Sequence, residues 1–286
     1  MGDTEELFAK YVGRKKEFEE LISAIQVQRM NVTLDREEPV PKDGDPVPPG
    51  WHHLYFAFPG LPLTRELGRD GRNINEWPVD PTLPMRMYAG SRARFHRPLF
   101  IGDKARCVSE LVSVKVKQGR SGKLAISTYR HTMSTAAGVA TVDEWDMVDR
   151  EEPKGEGDNR SSGQMAPSDP KWEKIVTPTS VMLFRFSAVT FNAHRIHYDH
   201  PYSTDVEGYP GLLLHGPFTA TLLCDFARDN YPGATMTGFE MRAKLPLFSD
   251  RPLRIMGRPR EGGKVCDLWA VTSENTVGME AFATFA

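Results

Sequence analysis

The chain has few cysteines, no long apolar run and no excess of either charge. Its three cysteines, Cys107, Cys224 and Cys266, lie far apart and form no CxxC pair. A sparse, odd set cannot build a disulfide framework and suits a reducing compartment. No stretch approaches the roughly 18 apolar residues of a membrane span. The N-terminal MGDTEELFAK is polar and acidic, unlike a secretory signal or transit peptide. Lysines and arginines number 36 against 38 acidic residues, a net charge of −2, and no basic block stands out. Nucleic acid, which demands a concentrated cationic face, is therefore not the expected partner, and neither is a membrane. What is present is ordinary: 286 residues, 40% hydrophobic and 26% charged, too apolar for a disordered chain. The expectation is a soluble, cytoplasmic protein of one large or two ordinary domains.

Residues 151–171, EEPKGEGDNRSSGQMAPSDPK, carry almost nothing apolar and read as a linker. They separate residues 1–150 from residues 172–286. The two parts resemble each other. RFHRPLFIGDKAR (Arg94–Arg106) laid on RAKLPLFSDRPLR (Arg242–Arg254) matches at both end arginines and at the PLF triplet. Gly122-Lys123 then answers Gly263-Lys264, and Gly138 answers Gly278. An ordered series of this kind points to an internal duplication.

Each half ends in strand-like segments separated by glycine turns: VSELVSVKVKQG, KLAISTYRHTMS and VATVDEWDMV, then PLRIMGRP, KVCDLWAVTSE and MEAFATFA. One apolar face of such sheets needs a cover. In the second half HGPFTATLLCDFARDNYPG supplies it, with Phe218, Leu222, Leu223, Phe226 and Ala227 on one helical stripe. Gly216-Pro217 opens that helix, and it stops at Asn230, ahead of Pro232 and Gly233. A long antiparallel sheet wrapped round one apolar helix is the hot-dog arrangement. The first half shows no comparable helix; its WHHLYFAFPGLPL and the Gly/Asp/Pro-rich run to Pro84 read as a long covering loop. Residues 14–30, RKKEFEELISAIQVQRM, read as one amphipathic helix.

FNAHRIHYDHP (Phe191–Pro201) packs three histidines, an arginine and an aspartate into eleven residues. Three readings are open. His194, His197 and His200 are spaced by threes and would share a helical face, as a metal site requires, but Pro201 opposes a continuous helix and no HExxH pattern is present. A solvated polar loop is the second. The third is an acid–base centre, since histidine titrates near neutrality and can give or take a proton.

The third reading gains from a resemblance. The run from Thr190 to His197, then HYDHPY and GYPGLLLHGPF, resembles the hydratase-2 motif of MaoC-like (R)-specific enoyl-CoA hydratases: an Asp, four residues, a His, and some 18 residues on a His-Gly that opens the central helix. His197 falls at the motif His and His215-Gly216 at the His-Gly, while Asn192 replaces the Asp. FSAVTFNAHRIHYD and LPMRMYAGSRARFHRPLFIGD resemble the two-domain branch with mesaconyl-CoA and itaconyl-CoA hydratases and mitochondrial 3-hydroxyacyl-thioester dehydratases, of which Asn is the pattern. The resemblance implies an α+β double hot-dog, with a degenerate N-terminal half and the motif in the C-terminal half.

It also implies reversible hydration of a short, carboxylated 2-enoyl-CoA. No cofactor is then required, because CoA is part of the substrate. A carrier-protein dehydratase and a non-catalytic acyl-thioester binder are the alternatives, and a homodimer of double hot-dogs stays open. His197, Asn192 and Gly216 are the expected catalytic residues. His197 is treated as a polar loop residue, Asn192 as the holder of the water, and the Gly216 amide as a donor to the thioester oxygen at a helix N-terminus. His215 either contacts substrate or stabilises the helix entry. Arg195, Arg86 and Arg92 are candidate partners of a substrate carboxylate, although Arg195 could instead pair with Asp199 at i,i+4. Arg92, Arg94 and Arg97 are further candidates for a CoA phosphate. His194 and His200 are expected at the surface or in structural roles.

Overall fold

The computed structural model describes residues 2–56, 60–74, 78, 80–119, 122–151, 163–260 and 262–286. In chain order the elements are α1 (Gly2–Ala9), β1 (Lys15–Leu21), α2 (Ala24–Thr33), β2 (Met85–Phe95), β3 (Lys104–Gly119), β4 (Gly122–Thr135) and β5 (Gly138–Arg150). There follow β6 (Trp172–Val176), α3 (Ser180–Val189), α4 (Gly216–Asp229), β7 (Met236–Ala243), β8 (Leu253–Pro259), β9 (Val265–Val271) and β10 (Val277–Phe285).

All ten strands join one antiparallel sheet in the order β1-β3-β4-β5-β2-β7-β10-β9-β8-β6. Numbered within its own half, the order reads the same from either edge, and the halves meet where β2 pairs with β7, Gly90–Arg94 against Gly238–Arg242. The repeated sequence blocks fall on corresponding places. Arg94 and Arg242 lie in the two seam strands, and the two PLF triplets follow them. Phe100 and Phe248 each form an isolated bridge, to Pro46 and Leu213 respectively. This is the double hot-dog.

The second half is wrapped round α4, which packs on β7 to β10. Pro217 sits in its first turn and Asn230 caps its end, so the helix start and stop signals were sound. Leu222 is the one member of the anticipated stripe left partly exposed. In the first half the corresponding place holds a single 3-10 turn, Trp51–Leu54. Trp51 and Tyr55 are among the largest fully buried side chains, so WHHLYF belongs to the core rather than to a cover. Gly50, at φ 87°, lets that turn press on α4: a Cβ there would stand 2.8 Å from Cys224 Sγ. Trp51 Nε1 donates to Asp225 of α4 at 2.9 Å. One apolar cluster consequently runs through both halves, from Ile22 and Trp51 to Phe218 and Ala283.

One other expectation fails. Residues 14–30 are not one helix: Lys15–Leu21 form edge strand β1 on β3, and a helix starts only at Ala24. Edge pairing and the inward alternation of Lys16, Phe18 and Glu20 override the helix propensity of KKEFEEL. The anticipated linker lies outside the described residues over 152–162. Its described remainder is docked: Met165 bridges Thr276, and Ala166 donates its N–H to Asn275. Residues 57–59, 75–77 and 79 of the anticipated covering loop also lie outside the described residues. Among the described residues no helix is long and apolar enough to cross a membrane.

Candidate active site

A cavity of about 990 Å³ opens between the halves, lined by residues of both. Its chemically distinctive wall begins with α3. Thr179 caps that helix by accepting from the Met182 N–H at 3.2 Å. At the other end Phe191 takes a left-handed φ of 53°, while Asn192 N–H reaches Ser187 O and Phe191 N–H reaches Ala188 O. Those two bonds define a Schellman stop, here without the usual glycine. Helix α3 thus ends in a sharp reversal that turns residues 192–197 towards the cavity.

Asn192 then makes an Asx turn: its Oδ1 accepts from His194 N–H at 3.0 Å. A 3-10 turn over Arg195–His197 follows. The first half clamps it from outside, where Asp70 O accepts from Arg195 N–H at 2.8 Å. Gly71, at φ 84°, lies so close to the Ala193 carbonyl that no Cβ would fit.

His197 is buried, and its Nδ1 stands 2.8 Å from Leu213 O. A carbonyl only accepts, so Nδ1 carries the proton, and the Nε2 lone pair meets no donor among the described residues. His197 therefore ties the motif loop to the segment entering α4, and the reading as a polar loop residue is corrected. Its ring stacks on His215, with centroids 3.7 Å apart and planes 20° apart. His215 is the N-cap residue of α4, and its Nε2 lies 2.8 Å from Ser187 Oγ. Burial lowers the His197 pKa to about 4 and holds His215 well below its ordinary value. Both rings are neutral at pH 7. The acid limb of any His197-dependent rate thus falls far below the neutral region that an unperturbed histidine would give.

The N-terminus of α4 meets the same cavity. Pro217 has no N–H, and the first intrahelical donor is Thr219, which bonds to His215 O. The amides of Gly216 and Phe218 have no acceptor among the described residues. Tyr88, from the first half, covers Gly216: a Cβ there would stand 2.7 Å from its ring. Glycine is demanded at this position by a protein side chain, a constraint that sequence reasoning did not see.

The remaining expected residues divide. His194 lines the cavity and packs edge-on to His197 at 5.4 Å, so it is no surface residue; burial lowers its pKa to about 3. His200 is exposed. No three metal-ligating side chains converge among the described residues. Arg195 does not line the cavity; it pairs with Asp199 at 2.7 Å, donates to Arg69 O and stacks on Tyr202. Arg92 is held by Asp146 and Glu144 of β5, and Arg94 by Glu240. Arg97 donates to Ala137 O. Arg86 does line the cavity, but its guanidinium is already bound bidentately by Asp149. The three arginines singled out for a substrate carboxylate are all engaged with acids of the protein.

Five histidines, the buried His131, His197 and His215 and the half-buried His53 and His194, have lowered pKa values, each chiefly through removal from water. Below about pH 6.5 the unfolded chain binds protons that the folded one refuses. Stability is thus full above that pH and is lost as pH falls towards 4, by up to about 1.4 kcal/mol per pH unit for each histidine. Asp225, raised by burial, works in the opposite sense but alone. Urea midpoints measured from pH 7.5 down to 5 are expected to fall steadily below 6.5; a flat profile would contradict the neutral burial of these rings.

With the geometry in place, comparison with known proteins defines the class. HtdX of Mycobacterium tuberculosis superposes with a TM-score of 0.66 at 16% identity, over 96% of this chain and 100% of its own. Another M. tuberculosis protein, described as having a double hotdog fold, superposes with a TM-score of 0.59 at 12% identity, over 96% of each chain. The class is the double hot-dog fold. The chain belongs to the hydroxyacyl-thioester dehydratase type 2 family, whose model matches residues 50–249. It is 37% identical to the mesaconyl-C(4)-CoA hydratase of Chloroflexus aurantiacus over 95% of both chains.

Proposed function

We propose that the protein is a hydro-lyase that reversibly hydrates a short 2-enoyl-CoA thioester, with a carboxylated acyl group such as mesaconyl or itaconyl. The observation that carries this is His197. Its tautomer is fixed by Leu213 O, its Nε2 lone pair meets no donor among the described residues, and it stacks on the N-cap residue of a helix with unoccupied amides. Family membership and the Chloroflexus relative support the reaction class.

In hydration, the water oxygen bonds to C3 as His197 Nε2 removes one of its protons. The electron pair of the C2–C3 double bond moves towards the thioester, and the negative charge gathers on the carbonyl oxygen. The Gly216 and Phe218 amides are the donors placed for that charge, assisted by the helix dipole. His197 then returns the proton to C2, which gives the 3-hydroxyacyl thioester. Asn192 Oδ1 is engaged by His194, so the group it presents is Nδ2, a donor to the water oxygen. On this reading Asn192 holds the water through Nδ2 rather than through Oδ1. No bound cofactor enters, because CoA is part of the substrate.

Loss of enoyl-thioester absorbance with crotonyl-, mesaconyl- and itaconyl-CoA tests the reading. One dicarboxylic thioester is expected to exceed crotonyl-CoA in kcat/KM. Equal turnover of crotonyl-CoA would remove the carboxylate preference and leave the hydratase, whereas no turnover of any would favour a binding protein. Activity on the carrier-protein thioester alone would favour the dehydratase of acyl-chain synthesis.

A further inference from the structure

A carboxylate or phosphate that leaves bulk water for this cavity needs a cation to meet it. Of the cationic side chains lining this one, Arg72 is held by Asp70, Arg86 by Asp149 and Lys244 by Glu280, while Arg69 is exposed and Lys16 makes other contacts. Arg150 differs. It lines the cavity, it has no partner among the described residues, and its Nε is buried without a hydrogen bond. A guanidinium does not deprotonate to escape that situation. An unpaired buried donor on a permanently charged group is costly unless a ligand completes it.

The position fits a ligand anion. Arg150 ends β5, paired with Met85 of β2 and Leu124 of β4. Three residues back, Met147 pairs with Tyr88, whose ring covers Gly216. Arg150 lies three positions beyond Met147 on β5 and lines the same cavity. Across the cavity, Tyr209 of the second half feels its charge, which opposes the rise that burial gives the phenol.

We propose that Arg150 binds an anionic oxygen pair of the acyl-CoA substrate: the carboxylate of the acyl group or a phosphate of CoA. This rests on the thioester reading above and supplies the cation that Arg195, Arg86 and Arg92 do not provide. The geometry needed is the planar, two-donor face of a guanidinium.

The test is direct binding, by calorimetry, of mesaconyl-CoA, crotonyl-CoA and free CoA to the protein with Arg150 intact, Arg150→Gln and Arg150→Lys. Arg150→Gln is expected to weaken mesaconyl-CoA binding roughly 10–100-fold, as loss of a charge-assisted hydrogen-bond pair does. Arg150→Lys, which keeps the charge without the fork, should recover part of it and controls for folding. A loss at least tenfold greater for mesaconyl-CoA than for crotonyl-CoA assigns the site to the acyl carboxylate. An equal loss for all three ligands assigns it to a CoA phosphate. Unchanged dissociation constants in Arg150→Gln, or a protein with Arg150 intact that binds none of the three, overturn the proposal. Every titration is made in the His197→Asn background, where turnover is suppressed, so the heats report binding, and a failure of the parent protein to hydrate counts against the proposed reaction and leaves this result standing.

Discussion

Replacing His197 by asparagine is expected to lower kcat by on the order of 10²–10⁴-fold in a protein that still folds. Asparagine is the informative substitution because of the tie to Leu213. Its Nδ2 can take over the donation that His197 Nδ1 makes to that carbonyl, while nothing replaces Nε2. Alanine would confuse two effects, since it removes the base and also leaves the half-buried Leu213 carbonyl without its donor. The thermal midpoint should fall by only a few degrees, and KM should change less than kcat. Near-normal kcat in a folded His197→Asn variant would remove His197 from the mechanism.

Asn192→Ala is expected to cost about 10–10³-fold in kcat through lost positioning of the water. Part of that loss is conformational, because Oδ1 also closes the Asx turn on His194. Asn192→Asp separates the contributions. A carboxylate oxygen can still accept the His194 N–H, but the Nδ2 donor is gone and a negative charge has entered the His197 cavity. That charge would raise the His197 pKa from about 4 and move the acid limb of the kcat profile upward. Asn192→Asp should therefore regain no more than the turn and show a right-shifted limb. A large gain over the wild type, or an inactive wild type that becomes active, would instead identify a protein that binds thioesters without converting them.

Much of this was legible in the chain, for local reasons. Helix α4 announces itself by Gly216-Pro217, an apolar stripe and Asn230, all of them near-neighbour signals. The strands of both halves follow from alternation and glycine turns. The motif loop stood out by its density of polar and titratable residues, and the structure brings Asn192, His194 and His197 of it to the cavity wall. What escaped depends on contacts between residues distant in sequence. KKEFEEL looks helical until β3 offers it an edge, some 90 residues away. The arginines look available until Asp149, 63 residues beyond Arg86, and Asp146, 54 residues beyond Arg92, are found opposite them. The same distance hid Tyr88 against Gly216 and Gly71 against Ala193. Burial, which sets every shifted histidine here, is likewise a property of the assembled sheet and leaves no mark on the sequence of eleven residues around His197.

The seam at which β2 meets β7 has a consequence for how such a protein can change over time. In a dimer of identical subunits each substitution is made twice, once on either side of the axis, and both sites inherit it. Here the partners of the symmetric pair are written separately in one chain. Histidine chemistry can be kept on the wall built by α3 and α4 while Tyr88 and Arg150, on the facing wall, vary independently. The corresponding place in the first half holds only the Trp51–Leu54 turn, while α4 in the second is a full helix. On the proposed reaction, new acyl specificities can therefore arise on the half that does not hold His197, and the proton transfers need not be disturbed.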